Sequence, residues 1–357
     1  MVKLSIVLYV SNGEKYLEDT LNSLYNQKFK DYEILFIDDK STDKSLSFIK
    51  KFSKKFNHFK IISLKNYDYS VAVNKCINWV DSEYIYFMDA HNILKPDALD
   101  TIYDLAQKNK VDFLICDAFN DKILDSFMLR KLESRNKLNK YTINTFNYTE
   151  LRELLFEFDC NLENKLYSVD FIKRNNLKLP ENLFFSDYVF FYDSLLSAGR
   201  IYYMRDYIFE DESLNILSSY ITDSKLYDCI EVSNLIIEVF KKHSQFDKYK
   251  RLLFNKKFDL MIDRFYRIDE EYRENYFKLM KDELLTILTN KNEAIDFMNN
   301  LNYHNKKLFE QILISENMYE YILLRDTYLE RIRYDNLFHH NVCLKPYLKD
   351  KVITCTK

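Results

Sequence analysis

An acidic residue and a histidine follow one buried stretch of this chain and are its most suggestive pair of side chains. The run Tyr84–Met88 is apolar and aromatic without interruption, the pattern of a strand buried on both faces, and Asp89–Asn92 follows it directly. Because alternate side chains of a strand point the same way, Asp89 and His91 are expected to face together. A carboxylate oxygen and an imidazole nitrogen so placed can hold one divalent cation. The alternative is a half-buried histidine hydrogen-bonded to the sheet edge, without a metal.

Two other positions carry carboxylates beside predicted elements. Asp38 and Asp39 follow a predicted strand, and Asp187 follows Ser186 at the start of a predicted helix. A loop carboxylate beyond a strand can accept a hydrogen bond from a ligand N–H, and a positioned carboxylate can take a proton from a hydroxyl. The structural alternative is capping, because Asp and Ser are common N-caps and the helix dipole favours acidic residues in a first turn. The dipole also predicts a lowered pKa for Asp187.

The elements that must position these side chains alternate between strands and helices. A helix from about Glu14 to Asn26, capped by Asn12, is the first of the helices between the strands. The alternation predicts an α/β protein with a mostly parallel, doubly wound sheet flanked by helices. Ligands bind such a sheet where the carboxyl ends of the strands stop, which is where Asp39 and Asp89 are expected. The predicted strands are Leu4–Val10, Glu33–Ile37, Lys60–Leu64, Tyr84–Met88 and Val111–Cys116.

The second half of the chain changes character along its length. Residues 164–167 are expected to lead into a helix, and a short strand is predicted at Ile201–Met204. From about Asp223 onward, apolar residues recur at helical spacing with charged residues between them and almost no turn signals. The pattern predicts a first domain over residues 1–218 and an all-helical C-terminal domain over 219–357.

Composition excludes several classes of protein. The chain has 357 residues and a net charge of −3, which gives no general attraction for nucleic acid. Its six cysteines are scattered singly, so neither disulfides nor a cysteine zinc site is indicated and a cytoplasmic location is expected. No apolar run reaches the length of a transmembrane helix. The basic segment Lys345–Lys351 is consistent with peripheral contact at the inner face of the membrane or with a solvated surface. Abundant Lys, Asn and Ile with only two glycines indicate an AT-rich, bacterial genome.

Residues 4 to about 215 resemble a family 2 glycosyltransferase of the GT-A type. The strongest similarity combines Asn12, Gln27 and the run Asp38–Asp43 at their spacings. The resemblance implies a GT-A, Rossmann-like fold with a nucleotide-binding half over 1–116 and an acceptor half over 117–218. The C-terminal helical domain lies outside it. Further positions that fit the family pattern are Asn66, Ser70–Asn74, Asp89, Asn164–Tyr167 and Ser186-Asp187.

The resemblance also implies a role for each candidate residue in the transfer of a sugar from a nucleotide donor, expected to be UDP-linked. Asp39 would read the base, Asp89 and His91 would hold a divalent cation and the diphosphate, and Asp187 would act as the general base. Residues expected along the nucleotide sugar are Tyr9, Ser11, Asp38, Asp39, Asp89 and Ala90. Residues expected near the acceptor or the diphosphate are Asn92, Lys165 and Tyr167, with packing as an equal alternative for Tyr167.

The chain departs from the family pattern at four places. Tyr9 stands where the family commonly has Pro, and Val73 stands where it has Arg. His91 stands where the family has a second Asp, and Ser186 where it has Glu. The histidine lowers the negative charge of the site and shifts the expected metal preference from Mg²⁺ towards Mn²⁺.

The function implied by the resemblance is inverting transfer to a hydroxyl of a bacterial surface glycan, such as a capsule or a lipooligosaccharide, free or lipid-linked. The departures leave a second hypothesis open, a catalytically degenerate GT-A domain that binds glycan or a partner. A sugar nucleotidyltransferase is disfavoured because its phosphate loop is rich in glycine, and only Gly13 follows the first strand here. The oligomeric state is not indicated by the sequence.

Overall fold

The structure of the protein is a computed structural model that describes residues 2–64, 69–117, 136–211 and 222–340, with the backbone alone at 211 and 332–340. The predicted position Asn66 and the basic segment Lys345–Lys351 lie outside the described residues. Contacts divide the chain into two compact units, Met1–Ile221 with Glu231–Tyr249, and Thr222–Ile230 with Lys250–Lys357. The boundary expected near residue 218 stays a prediction.

A seven-stranded sheet organises the first unit. Its strands lie in the order β3-β2-β1-β4-β7-β6-β8, and a separate two-stranded sheet pairs β5 with β9. Every neighbouring pair in the large sheet is parallel except the two pairs made by β7, which confirms the predicted mostly parallel sheet. The strands are β1 Leu4–Val10, β2 Tyr32–Asp39, β3 Phe59–Leu64, β4 Tyr84–Asp89, β5 Asn92–Leu94, β6 Phe113–Cys116, β7 Lys165–Ser168, β8 Ile201–Met204 and β9 Phe209–Asp211.

Helices accompany the strands of this unit. The first begins at Leu17, three residues later than predicted, because Asn12 lies in the left-handed region (φ 50°) and does not cap it. The Asn12 side chain instead accepts a hydrogen bond from the Thr42 N–H at 2.8 Å and joins the loops that follow β1 and β2. The helices are α1 Leu17–Tyr25, α2 Ser45–Phe52, α3 Tyr69–Trp79, α4 Ala98–Asn109, α5 Tyr148–Leu151, α6 Val169–Arg174 and α7 Ser186–Ser197.

Strand β7 is the largest difference from the predicted topology. Residues 164–167 were expected to lead into a helix ending near Asn175, and α6 confirms that helix. The residues directly before it, Lys165–Ser168, form an unpredicted antiparallel strand between β4 and β6, with Tyr167 opposite both Ile85 and Phe113. Four residues are too few for periodicity to distinguish a strand from a helical turn. The slot between β4 and β6 therefore decides the conformation, since an open ladder there would leave buried backbone groups without hydrogen bonds.

The second unit is built from helices, which confirms the predicted helical C-terminal region. Its centre contains fully buried aromatic side chains, with the Phe265 and Tyr321 rings 5.3 Å apart at their centroids. Among the helices in the described part of the chain, none combines the length and apolar character needed to cross a bilayer. The remaining helices of the chain are α8 Asp228–Lys242, α9 Phe246–Arg267, α10 Glu270–Leu288, α11 Lys291–Asn300, α12 Tyr303–Ile314 and α13 Met318–His340.

Candidate active site

The carboxyl ends of three central strands bring the predicted residues to one edge of the sheet. Strand β1 has β2 on one side and β4 on the other, so the strand order reverses beside it. Such a reversal opens a crevice at the strand ends where ligands bind. The register aligns Tyr9 with Asp89 of β4 and Val10 with Asp38 of β2. Side chains from sequence positions 80 residues apart thereby meet at this edge.

Tyr9 and Asp39 form the first part of the site. The Tyr9 hydroxyl donates a hydrogen bond of 2.6 Å to Asp39 Oδ2, and the Ser11 hydroxyl lies 3.5 Å from the Asp39 carbonyl oxygen. Burial, followed by the bond to Asp39, raises the pKa of Tyr9 well above its usual range, so its hydroxyl remains a donor. Asp38 is 3% exposed, whereas Asp39 is half-buried, so the second carboxylate is the one that a ligand can reach.

Asp89 and His91 lie on a turn that is held from beneath. Asp89 Oδ2 and His91 Nε2 are 4.0 Å apart, with 25% and 29% of their side chains exposed. Asn92 is fully buried and its Oδ1 accepts the Asp89 N–H at 2.7 Å. Ala90 is also buried, and its carbonyl oxygen accepts the Thr20 hydroxyl at 2.6 Å. The two predicted ligands therefore face outward while Ala90 and Asn92 face inward.

Gly13 lets the loop after β1 approach this turn. A Cβ atom at position 13 would lie 2.8 Å from the Ala90 Cβ, closer than side chains pack. The Gly13 N–H donates to the Ser45 hydroxyl at 2.9 Å, which fixes the loop against the start of α2. The loop after β1 therefore packs closely against the turn that carries Asp89 and His91.

A divalent cation fits the donors on this turn only in part. A carboxylate and an imidazole side by side suit Mn²⁺ when other oxygen ligands complete the shell. Among the described residues, no group of three or more His, Cys, Asp or Glu side chains is arranged to hold a metal. Asp89 and His91 would thus be the protein ligands, and a bound diphosphate would have to supply further oxygens.

A cavity of about 270 Å³ extends from Asp89 to the start of α7. Its polar side contains Asp89, Asn161, Glu163, Ser186 and Asp187. The cavity joins the predicted metal-binding carboxylate and the predicted general base. The sequence analysis did not identify Asn161 or Glu163, because residues 159–164 have no periodic pattern. They come close to the cavity only because the residues that follow them form the unpredicted strand β7.

Asp187 lies in the first turn of α7 with an altered acidity. Burial raises the pKa of its carboxyl to about 7, against the lowering effects of Lys165 and of backbone hydrogen bonds, with Asp159 adding to the rise. The expected lowering by the helix dipole is therefore wrong, since desolvation outweighs it. Nor does Asp187 or Ser186 cap the helix. The N-cap is Phe185, held at φ 64° in the left-handed region. A strained aromatic residue beside a carboxylate with a shifted pKa is typical of a functional site.

Lys165 and Tyr167 lie beneath the cavity and do not line it. Both have 0% exposure. The Lys165 ammonium donates to the carbonyl oxygens of Asp159, at 2.7 Å, and Asn161, and to Asn164 Oδ1 at 2.6 Å. These three acceptors match the three N–H donors of an ammonium group. The contact expected from Lys165 to acceptor or diphosphate is replaced by support of the loop that carries Asn161 and Glu163.

Replacing Lys165 by methionine is expected to move the pH dependence of activity and to lower stability. The variant removes the cation that counteracts the raised pKa of Asp187, so the midpoint of the rate–pH profile should move upward. Three buried acceptors also lose their donor, which is expected to cost about 3 kcal/mol of the free energy of unfolding. Rate–pH profiles and urea denaturation measure the two effects. Lys173→Met removes a nearby lysine that donates to the Val80 carbonyl oxygen and serves as the control.

Known proteins share the sequence pattern and the fold of this chain. Residues 5–165 match the model of glycosyl transferase family 2. The chain is 24% identical over 330 residues to the cholesterol galactosyltransferase of Borreliella burgdorferi, covering 87% of this chain and 89% of that protein. It is 24% identical over 255 residues to the poly(ribitol-phosphate) beta-N-acetylglucosaminyltransferase TarS of Staphylococcus aureus, covering 67% of this chain but 42% of TarS.

A solved structure shares the fold as well. The crystal structure of a TarS fragment in complex with UDP aligns with a TM-score of 0.67 at 18% identity, covering 92% of this chain and 91% of the fragment. This likeness confirms the GT-A fold that the motifs imply. The match to glycosyl transferase family 2 covers the loops and strand ends that carry Tyr9, Asp39 and Asp89, and it accounts for residues 5–165 of the 357.

Proposed function

We propose that the protein is an active, inverting glycosyltransferase that moves a sugar from a UDP-linked donor to a hydroxyl of a bacterial surface glycan. The observation that carries the proposal is the cavity in which Asp89 and Asp187 meet, with the pKa of Asp187 at about 7. A base with a pKa near the working pH is about half ionised and still basic enough to accept a proton. A degenerate binding module needs no such carboxylate.

The reaction we propose is a single displacement. The acceptor oxygen attacks the anomeric carbon, its proton passes to the Asp187 carboxylate, and the bond from the anomeric carbon to the diphosphate oxygen breaks. Attack opposite to the leaving group inverts the anomeric centre, and no side chain forms a covalent intermediate. A bound divalent cation, for which Mn²⁺ is favoured over Mg²⁺, would neutralise charge on the leaving diphosphate. Asp89 and His91 would hold that cation.

The nucleotide end of the donor would bind at Asp39. The TarS structure contains UDP, and the relatives include sugar transferases of two kinds, which supports a UDP-linked donor. The bond from the Tyr9 hydroxyl fixes one Asp39 oxygen and leaves the other to accept a base N–H. Ser11 and Tyr9 would flank the nucleotide, while the buried Asp38 and Ala90 would shape the pocket from behind.

Tyr9→Phe is expected to weaken UDP binding by about fivefold to tenfold, the effect of losing one hydrogen bond that orients a carboxylate. The ring and its edge-to-face contact with Tyr69, at 4.8 Å, are retained. Titration calorimetry with UDP measures the change. Tyr25→Phe, at an exposed ring of α1, is the control. Unchanged affinity in Tyr9→Phe would count against a base-binding role for Asp39.

The proposal as a whole is tested by nucleotide binding and turnover. We expect UDP-glucose, UDP-galactose or UDP-N-acetylglucosamine to bind in the presence of Mn²⁺ and to be hydrolysed slowly to UDP without an acceptor. Absence of binding to any of these donors, with Mn²⁺, Mg²⁺ or chelator, would reject the enzyme and favour the degenerate module. We place the reaction in the cytoplasm, at the inner face of the membrane if the acceptor is lipid-linked.

A further inference from the structure

We infer that the acceptor is an uncharged alcohol with an apolar face, and that the site excludes polyol phosphates. The inference rests on the proposed function and names the class of acceptor that it uses. The acceptors in the names of the relatives divide between a sterol and poly(ribitol-phosphate), so the family alone leaves the class open. The cavity wall beside Asp187 distinguishes them.

The charge of the wall opposes an anionic acceptor. Asp89, Glu163 and Asp187 all line the cavity, and among its described lining residues there is no Lys, Arg or His. Lys165 lies beneath, with its three donors committed to the loop and its head group buried. The diphosphate of a UDP-sugar carries two negative charges, which a bound divalent cation would balance, so the negative charge of the wall carboxylates remains. A phosphate beside the attacking hydroxyl would meet repulsion from several sides in a partly desolvated space.

Aromatic and apolar side chains also line the cavity. Leu183, Phe184, Phe185 and Tyr188 line the cavity and are half-buried. The ring centroids of Phe184 and Phe185 are 4.6 Å apart in an edge-to-face arrangement, and those of Phe185 and Tyr188 are 5.7 Å apart. Rings that remain partly exposed in a concave site gain stability by covering an apolar surface, such as the C–H face of a sugar or a lipid ring system.

The aromatic wall is held in place by the fold. Asn74 of α3 exchanges two hydrogen bonds of 2.9 Å with the backbone of Leu179, which anchors the segment that leads to the rings. Phe185 then adopts its left-handed conformation at the start of α7. The carboxylates of the lining can accept hydrogen bonds from hydroxyls, and its rings can cover apolar groups. A neutral alcohol with an apolar face can make both kinds of contact. A polyol phosphate would be repelled by the carboxylates and has no apolar face for the rings to cover.

The first test compares acceptors directly. The full-length protein is given Mn²⁺ and the UDP-sugar that it hydrolyses, and product formation is followed with three acceptors. These are octyl β-glucoside as a neutral sugar, cholesterol in phosphatidylcholine vesicles as a neutral lipid alcohol, and ribitol 5-phosphate oligomers as the anionic polymer. We expect transfer to at least one neutral acceptor at a rate at least tenfold above that to ribitol phosphate. The two neutral acceptors distinguish a glycan from a lipid as the molecule that carries the accepting hydroxyl.

Variants test the physical cause. Glu163→Gln removes one cavity carboxylate and is expected to raise the rate with ribitol phosphate relative to the neutral acceptor by about fivefold. Glu153→Gln, at an exposed position, should leave that ratio unchanged. Phe184→Ala should raise KM for the neutral acceptor without changing UDP affinity.

The outcomes separate the inference from the proposed function. Hydrolysis of the UDP-sugar with transfer only to ribitol phosphate, equal transfer to both classes, or no transfer to either neutral acceptor would overturn the inference and leave the enzyme proposal standing. Loss of UDP-sugar binding itself would reject the proposed function.

Discussion

Asp187→Asn is expected to lower the rate of sugar transfer by about 10²- to 10⁴-fold, the usual contribution of a positioned general base. The side chain keeps its size and its place at the start of α7 but cannot accept the acceptor proton at neutral pH. Affinity for UDP should be unchanged, because we propose that the nucleotide binds at Asp39 and not at Asp187. Transfer assays and titration with UDP measure the two quantities on the same preparation. Asp170→Asn, at an acidic side chain in α6 that is 80% exposed, is the matched control.

The pH dependence of the wild type follows from the same group. The base must be ionised, so the rate should rise with pH through the pKa of about 7 and level off above it. Asp187→Asn should abolish that rise in the residual activity. An unchanged profile, or a loss of activity below tenfold, would show that another group takes the proton.

Stability should respond to pH in the opposite direction. The folded pKa of Asp187 lies above the ordinary value of 3.8, so the folded state binds the proton more tightly than the unfolded state does. The carboxyl therefore destabilises the fold progressively as pH rises from about 4 to about 7. Above pH 7, Asp187→Asn should be more stable than the wild type by about 1–3 kcal/mol, with little difference at pH 4. Urea denaturation at both pH values measures this gain, and the activity lost with it is a trade-off common at active sites.

Asp89→Asn is the second large change, and it should reduce transfer by about 10²-fold or more by weakening the hold on the cation and diphosphate. The amide is the same size as the carboxylate, and the backbone N–H that Asn92 accepts is untouched, so the turn should keep its shape. Affinity for UDP should fall in the presence of Mn²⁺ and change little in chelator. Calorimetry under both conditions measures the difference. Asp97→Asn, at a side chain 57% exposed, is the control.

His91→Ala separates the two ligands of the turn. If the imidazole binds the cation, the apparent affinity for Mn²⁺ should fall by about tenfold while UDP binding in chelator is unchanged. If donor binding is unaffected by chelator, by His91→Ala and by Asp89→Asn, the metal proposal fails while the transferase proposal survives. A smaller Mn²⁺ effect in His91→Ala than in Asp89→Asn would identify the carboxylate as the dominant ligand.

The sheet edge could be predicted from the sequence because its signals are local. Apolar runs define β1, β2 and β4. Parallel pairing of these strands then brings Tyr9, Asp39 and Asp89 to one edge of the sheet, independently of the loop conformations. The orientation of Asp89 and His91 followed from strand alternation. Their neighbours Ala90 and Asn92 were assigned to ligand contact by resemblance, but they pack against Thr20, Gly13 and the Asp89 backbone instead.

The acceptor side depended on contacts that no local pattern records. The slot between β4 and β6 decides that residues 165–168 form a strand, and that strand buries Lys165 and brings Glu163 to the cavity. The acidity of Asp187 was misjudged for the same reason. A helix start is visible in sequence and predicts a lowered pKa, whereas the burial of the carboxyl, which raises the pKa instead, is set by the folded structure.

Gly13 limits how this chain can change over evolutionary time. Glycine codons are rich in G and C, so mutation towards an AT-rich genome replaces them, and only two glycines stand in 357 residues. At position 13 any replacement adds a Cβ that presses on Ala90, and the displacement would pass directly to Asp89 and His91. At Gly13, selection to keep the site intact would therefore oppose the mutational bias, although this residue itself performs no chemistry. A change of this single codon, in the loop after β1, would disturb the proposed metal ligands without altering either of them.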